Sequence, residues 1–334
     1  MKFNQHSLLA FIILTLLLGV LFLLGNWQAI FYSKTEDIRI AVSRTPLSAP
    51  IYIAKDKGLF DPRCIDVQLT EVFGGKASFE KMIRGEADFA TSSESVIAFQ
   101  SLKRNDFANI ATFVQSDNDV KFVISKKSGI IVPQDLVGKK IAVTKGAAGE
   151  YFLSIYLALS GVDLKNVEVI DKAPEALAKS LQQGEVDVVV PWEPYAYETL
   201  RLSDGDAEIL PSKNLYTLTF NLVAKKLNLA AKPQAARCIL MGLKKAQEFI
   251  AKHPEESRQI LIKRLRLDSN FVNWVWQDYI FKLSLSRSLV LNMESQIEWA
   301  ISQGIVKSVV MPDFEHLIDQ EYLMDVVPYA VTLN

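Results

Sequence analysis

Gly85-Glu86-Ala87-Asp88-Phe89-Ala90 and Gly184-Glu185-Val186-Asp187-Val188-Val189 are one short phrase written twice, 99 positions apart. Each copy closes an amphipathic run and opens a short apolar one, the pattern of a helix, a turn and a buried strand in succession. A single copy would be ordinary turn chemistry. The residues around both copies match as well, and internal duplication points to a chain built from two similar halves.

Upstream, Ile38-Arg39-Ile40-Ala41-Val42 corresponds to Lys139-Lys140-Ile141-Ala142-Val143, both reading as short strands. Next come predicted helices over Ile51–Lys57 and Tyr151–Leu159, ended by Gly58 and Gly161. Second strands follow at Val67–Val72 and Val167–Ile170. Second helices carry apolar stripes at Phe79, Met82 and Ile83, and at Leu177, Ala178 and Leu181. The landmarks recur at offsets of 101, 103, 100 and 99 residues, so the unit β-α-β-α-β is used twice. Strands alternating with helices imply an α/β fold, each half a parallel sheet with helices on both faces and right-handed crossovers.

Beyond the N-terminal stretch about 300 residues remain, enough for two lobes with their own cores. The formal net charge is −1 and no basic tract occurs, which leaves nucleic-acid binding without support. The pairs Lys126-Lys127 and Lys139-Lys140 read as solvated turn residues. His6, His253 and His316 are scattered, and Cys64 and Cys238 lack metal-ligand spacing. Zinc hydrolysis and Ser-His-Asp chemistry are therefore poorly supported, and no metal or cofactor is expected. Two separate buried thiols are the simpler reading of the cysteines, with a disulfide as the alternative.

Residues 1–31 depart from this composition. Leu8 to Leu24 is free of charge, apolar character continues to Phe31, and the run is long enough to span a bilayer. Met1-Lys2 favours an N-terminus inside. No small-x-small cleavage site follows, and no cysteine lies near enough for a lipoprotein signal. The expectation is an uncleaved transmembrane anchor touching the membrane through residues 8–31, with an unconventional signal peptide as the alternative. Either way the remainder is exported.

Residues 32–37 read as a linker, with the repeated units over 38 to about 114 and about 130 to 210. Val120–Ser125 looks like a strand leaving the first lobe, and Leu215–Ala224 alternates like a strand returning. Two crossings are what a two-lobed hinge needs. Residues 38–123 and 221–334 are assigned to lobe 1 and 124–220 to lobe 2. From Pro233 the pattern is helical, with helices expected to His253 and over 255–264, 269–281 and 293–303. Trp274, Trp276 and Trp299 read as residues sealing these helices onto the first lobe.

Ligands of open α/β sheets bind beyond the carboxyl ends of the strands. The first lobe offers Arg44–Pro50, with Pro46, Ser48 and Ala49 as candidates, then Phe73-Gly74-Gly75 and the hydroxyls of Thr91, Ser92 and Ser93. The second offers Thr144-Lys145-Gly146-Ala147-Ala148-Gly149, then Ala173-Pro174 and Trp192-Glu193-Pro194. Small residues entering a helix expose amide groups that suit an anion; the same residues also suit a tight turn with no ligand. The loop lacks the Lys-Ser/Thr ending of a P-loop and the spacing of a dinucleotide fingerprint. The hydroxyls would donate to the ligand or cap the next helix. Trp192 would floor the pocket, and Glu193 would meet a ligand ammonium, cap a turn or pair with a lysine.

At these residues the chain resembles the periplasmic substrate-binding proteins of ABC transporters for nitrate, taurine and sulfonates, close to the thiamine-pyrimidine-binding, NMT1/THI5-like group. The resemblance rests on Ile51–Phe60, Gly85–Ala90, Gly138–Val143, Trp192-Glu193-Pro194 and Ile297–Ala300, and covers about Ile38 to Tyr322. It implies a type II periplasmic-binding-protein fold, two Rossmann-like lobes joined by a two-strand hinge, with the helical C-terminal part on lobe 1. It also implies a non-catalytic receptor that closes on a small, anionic solute and delivers it to an ABC permease in the inner membrane. The predicted anchor departs from the family's usual cleavable or lipoprotein signal and leaves a membrane-anchored sensor as an alternative. A metabolite-processing enzyme on the same fold is a third reading, although the cysteine-rich segment and active-site histidine of the related pyrimidine synthases are not visible here.

Overall fold

The computed structural model describes residues 35–306 and 310–333. The anchor or signal expected over residues 1–31 lies outside the described residues. Among the described residues, no helix is long and apolar enough to cross a membrane.

The first unit runs β1 (Glu36–Ser43), α1 (Ala49–Asp56), β2 (Ile65–Val72), α2 (Gly75–Ile83), β3 (Phe89–Ser93), α3 (Glu94–Ser101) and β4 (Phe107–Ser116). The second runs β5 (Phe122–Ser125), β6 (Lys140–Val143), α4 (Ala148–Leu159), β7 (Glu168–Asp171), α5 (Pro174–Gln182), β8 (Val188–Val189), α6 (Tyr195–Leu202) and β9 (Ala207–Leu210). The chain then returns through β10 (Leu218–Lys225) to α7 (Lys226–Ala231), α8 (Pro233–Lys252), α9 (Pro254–Leu265) and α10 (Ser269–Trp276). The short strands β11 (Tyr279–Ile280) and β12 (Leu285–Ser286) lead to α11 (Arg287–Ser302), α12 (Glu321–Val326) and β13 (Val331–Thr332).

Both copies of the doubled phrase do the same two things. Gly85 (φ 77°) and Gly184 (φ 70°) take the left-handed conformation that ends α2 and α5. Glu86 N then donates to Lys81 O and Glu185 N to Ser180 O, both at 3.0 Å, which closes a Schellman cap in each half. The aspartates that follow tie the turn to the sheet. Asp88 N donates to Arg39 O at 2.8 Å while its carboxylate accepts from Arg39 N at 2.8 Å. Asp187 does the same with Lys140, both bonds at 2.9 Å. Each aspartate thus fixes where the third strand of its unit lies against the first.

The two sheets are arranged alike, β2-β1-β3-β10-β4 with β11 at its edge, and β7-β6-β8-β5-β9. The three unit strands are parallel in each. The expectation of purely parallel sheets is corrected by β10, antiparallel to β3 and β4, and by β5, antiparallel to β8 and β9. The reason is geometric. Parallel strands end at the cleft, so a chain leaving one sheet there enters the other from its cleft edge and must run the opposite way. The crossings are residues 117–121 and 211–217. Within the first sheet, the side chain of Asn221 on β10 accepts from Asn109 and Thr112 of β4 and donates to Ser92 O of β3.

The cysteines also differ from expectation. Cys64 and Cys238 form a disulfide with Cα atoms 6.5 Å apart across a sequence separation of 174, and both are half-buried. It pins α8 to the segment entering β2, a proximity that no local pattern announces. The helix expected over 269–281 stops at Trp276 because Tyr279 and Ile280 pair with β4. The last long helix starts at Arg287, earlier than the expected residue 293. Two of the three tryptophans reach beyond the first lobe. Trp299 meets Tyr151 of α4 at 5.5 Å, and Trp274 meets Tyr197 of α6 at 5.5 Å.

Replacing Asp88 or Asp187 with Ala removes a charge-assisted bond to a strand amide, so each variant should lose about 1.5–3 kcal/mol of unfolding free energy. Chemical denaturation measures this. No loss at either position would reduce the phrase to turn chemistry.

Candidate ligand-binding site

The cleft edges of both sheets enclose a cavity of about 310 Å³. From the first lobe come Thr45 and Leu47 after β1, Phe73-Gly74-Gly75 after β2, and Ser93 and Val96 after β3. Thr144, Ala147 and Ala148 after β6, Pro174 after β7 and Trp192 after β8 face them from the second. Leu218 and Phe220 of β10 and Asp119 of the first crossing complete the wall. Of the residues singled out in the sequence, Gly74, Ser93, Thr144, Ala147 and Trp192 border the cavity, and the lobes meet across it. A Cβ on Gly74 would lie 3.6 Å from the Trp192 ring. Phe73, 60% exposed, stands at the mouth with the Arg44 guanidinium 5.5 Å from its ring centre.

Pro46, Ser48, Ala49, Thr91, Ser92, Lys145, Gly146 and Glu193 do not border the cavity, and several of them, with Ser93, are engaged in building its walls. Pro46, Ser48 and Ala49 are buried in the turn entering α1, where Ser48 Oγ donates to Ser43 O at 2.8 Å. Thr91 Oγ1 accepts from Ser43 N at 2.9 Å, and Ser92 Oγ donates to Gly75 O at 3.2 Å. Ser93 caps α3 by accepting from Val96 N at 3.4 Å. Hydroxyls on a strand buried along its whole length find partners in the adjoining elements before any ligand arrives.

The loop from Thr144 to Gly149 is likewise committed. Thr144 Oγ1 donates to Lys172 O at 2.9 Å. Lys145 N donates to Asp171 Oδ1 at 3.1 Å and Gly146 N to Glu150 Oε2 at 2.8 Å. Two carboxylates of the same lobe thus hold amides that an anionic ligand would need. Glycine is required at 149 by packing, since a Cβ there would lie 2.4 Å from Val190 O.

The open helix terminus is on the first lobe. The N-cap of α2 is Gly74 (φ 83°), which has no side chain to cap the first-turn amides. Gly75 packs so closely on β3 that a Cβ would sit 3.1 Å from Ser92 Cα. Gly75, Lys76 and Ala77 all border the cavity, as does Glu80 of the same helix, so an uncapped helix N-terminus opens onto it between a basic and an acidic residue. Phe73-Gly74-Gly75 is the signal that marked this place in the sequence. Nothing local marked Asp119, Leu218 or Phe220, because only the crossing geometry brings them here.

Glu193 faces away from the cavity, buried at the second lobe's edge. Its Oε1 lies 3.2 Å from Lys121 Nζ and its Oε2 accepts from Tyr197 N at 3.1 Å. Both structural alternatives for this residue, turn cap and lysine partner, are therefore realised at once. Burial raises its pKa against the pull of Lys121. The Lys121 ammonium also donates to Asn118 O and stands 4.9 Å over the Trp274 ring. Asp119 Oδ1 accepts from Tyr279 Oη at 2.8 Å, and burial pushes this carboxyl up to about 6. Under the cavity wall, Glu94 Oε2 accepts from Thr219 N at 2.7 Å and Oγ1 at 3.0 Å, while Oε1 accepts from Ser95 and Gln296. It thereby ties α3, β10 and α11 together, and burial pushes it up to about 7.

A model of the family described as NMT1/THI5 like matches residues 45–257. A putative aliphatic sulfonates-binding protein of Bacillus subtilis is 29% identical over 271 residues, covering 78% of this chain and 80% of the relative. A putative thiamine biosynthesis protein of Haemophilus influenzae is 23% identical over 279 residues, covering 80% of this chain and 87% of the relative. The chain superposes on the alkanesulfonate-binding protein SsuA from Xanthomonas axonopodis pv. citri bound to MOPS with a TM-score of 0.76 at 18% identity, over 86% of this chain and 99% of that one. For the periplasmic nitrate-binding protein NrtA from Synechocystis PCC 6803 the TM-score is 0.73 at 14% identity, over 89% of each chain. The fold is that of the periplasmic binding proteins.

The buried carboxyls set a pH dependence. Glu94 rises from 4.5 to about 7 on folding, so its contribution is fully present below 4.5 and is lost as pH rises through about 7. Asp119 acts with the same sign between 3.8 and about 6. Exposed Glu86 and Asp61, held at about 2 by arginine neighbours, act the opposite way at lower pH. The melting temperature should therefore rise as pH falls from about 8 to about 5 and decline below about 4. Calorimetry across this range checks it, and Glu94→Gln should flatten the upper limb. A wild-type curve that rises with pH over the same interval would contradict the assignment.

Proposed function

Because the chain belongs to the NMT1/THI5-like family, we propose that it is a receptor that captures a small solute between its lobes and hands it to an ABC importer. The observation that carries this reading is the cavity itself, walled by strand-end loops of both sheets, with the uncapped start of α2 and Lys76 on one lobe and Trp192 on the other. Helix amides and an ammonium suit a small anionic head, and the aromatic and aliphatic wall suits a short organic tail. The names of the relatives and structural neighbours agree with a sulfonate or a nitrate-like anion.

In this reading residues 38–123 with 221–334 form one lobe, residues 124–220 form the other, and the two crossings act as the hinge. The solute is held without being transformed, since Glu193 and Glu94 are already bonded within the protein. The disulfide suits an oxidising, extracytoplasmic compartment. The apolar run Leu8–Leu24 serves there as export signal or inner-membrane tether.

Thermal denaturation of the purified chain with short alkanesulfonates, taurine and nitrate tests this. A cognate solute at one hundred times its Kd should stabilise the fold by about 2.7 kcal/mol. Trp192→Ala should weaken an alkanesulfonate by roughly tenfold through lost ring contact, measured at a temperature where the variant is still folded. If none of these solutes shifts the transition, the anion-receptor reading fails.

A further inference from the structure

The helices that start at the cavity from opposite lobes are finished differently. α2 begins at Gly74, with no side chain over its first amides. α4 begins at Ala147, which also lacks a capping side chain, but Glu150 in its first turn reaches back and accepts from Gly146 N at 2.8 Å. A carboxylate in the first turn of a helix is common, and alone it implies only compensation of the helix dipole. Two further observations give this one a second role. Gly146 lies between Thr144 and Ala147, both on the cavity wall, so the amide that Glu150 occupies belongs to the loop that meets the solute. Glu150 is also only 7% exposed, and Lys76 acts on it from the other lobe while Lys145 and Asp171 act from its own.

Positive charge at the cavity is scarce. Among the described residues that border it, Lys76 is the one base, against the acids Glu80 and Asp119. An anionic group at the start of α2 therefore shares Lys76 with Glu150. One negative charge is offset there. A second meets the Glu150 carboxylate, held in place by its bond to Gly146 N and poorly screened because it is buried.

We propose that Glu150 is a specificity residue of the receptor, closing the start of α4 to anions and restricting the solute to a single negative charge. This rests on the solute-receptor reading above and sharpens it. The anionic head is gripped from the first lobe alone, and the second lobe contributes the Trp192 ring and a fixed negative charge. Solutes of the same shape are then told apart by a repulsive element built into the site, where attractive contacts alone would not separate them.

The test compares propanesulfonate with propylphosphonate by calorimetric titration of the full chain, at a pH where the phosphonate carries two negative charges. The compounds share tail and head geometry and differ by one charge. Wild type should bind the sulfonate about tenfold tighter or more. Glu150→Gln keeps an oxygen for Gly146 N and removes the charge. Both compounds should then bind more tightly, the phosphonate gaining roughly fivefold more than the sulfonate. Glu150→Asp keeps the charge and should keep the preference; its loss there would assign the effect to packing and overturn the proposal.

Equal affinities in wild type overturn the proposal and leave the receptor reading standing. A preference unchanged in a folded Glu150→Gln overturns it too, since Glu80 or the shape of the head would then set it. Should Glu150→Gln fail to fold, Glu150→Ala reads the same ratio with the same two outcomes. Binding of neither compound by wild type removes the alkanesulfonate-receptor reading and the proposal with it.

Discussion

The pair of bonds between an aspartate and a strand amide, made once by Asp88 with Arg39 and once by Asp187 with Lys140, sets the geometry on which the cleft depends. Each fixes the third strand of its unit against the first at the edge away from the cleft. The strands then run a set distance and stop together at the opposite edge. The loops that leave them are thereby gathered on one side of each sheet, and the two gathered sides face each other. A slip of one residue at either aspartate would carry every side chain of that strand to the opposite face of its sheet. The cap at Gly85 or Gly184 and the bond at the aspartate act as a unit, one ending the helix and the other placing the strand.

Charge in the cleft is handled by burial and pairing. The second lobe satisfies its own loop amides with Asp171 and Glu150. The first lobe leaves the start of α2 open beside Lys76. Near the crossing, Lys121, Glu193 and Asp119 are buried together. Breaking such a cluster by removing one partner would leave an uncompensated buried charge, whatever the pair contributes when intact. Backbone bonds meet there as well, Lys121 N to Pro191 O at 3.0 Å and Glu193 N to Asp119 O at 3.1 Å.

Much of this was legible in the chain because it is local and repeated. The caps at Gly58, Gly85, Gly161 and Gly184, the apolar stripes of α2 and α5 and both crossing segments follow from spacing alone. The antiparallel course of β5 and β10 was not legible, because it depends on which edge of a sheet the chain enters. The Cys64–Cys238 bond joins positions whose proximity exists only after α8 has folded back. At the cavity, Trp192 and Gly74 could be found because they sit at strand ends beside turn residues. Ser48, Thr91 and Ser92 belong to the same loops by sequence, but their hydroxyls turn toward neighbouring backbone groups. Residue type and position do not reveal which way a short side chain points.

The place of β10 between β3 and β4 has a consequence for biosynthesis. The second sheet draws all its strands from one continuous stretch, Phe122 to Leu210, and closes as soon as that stretch is available. The first sheet cannot, because its middle strand arrives more than a hundred residues after β4. Loop closure over that length is slow compared with local pairing. During synthesis the earlier-made half therefore waits, with β3 and β4 presenting unpaired edges, until the later half has passed. The lobe that begins the protein is the last to be finished.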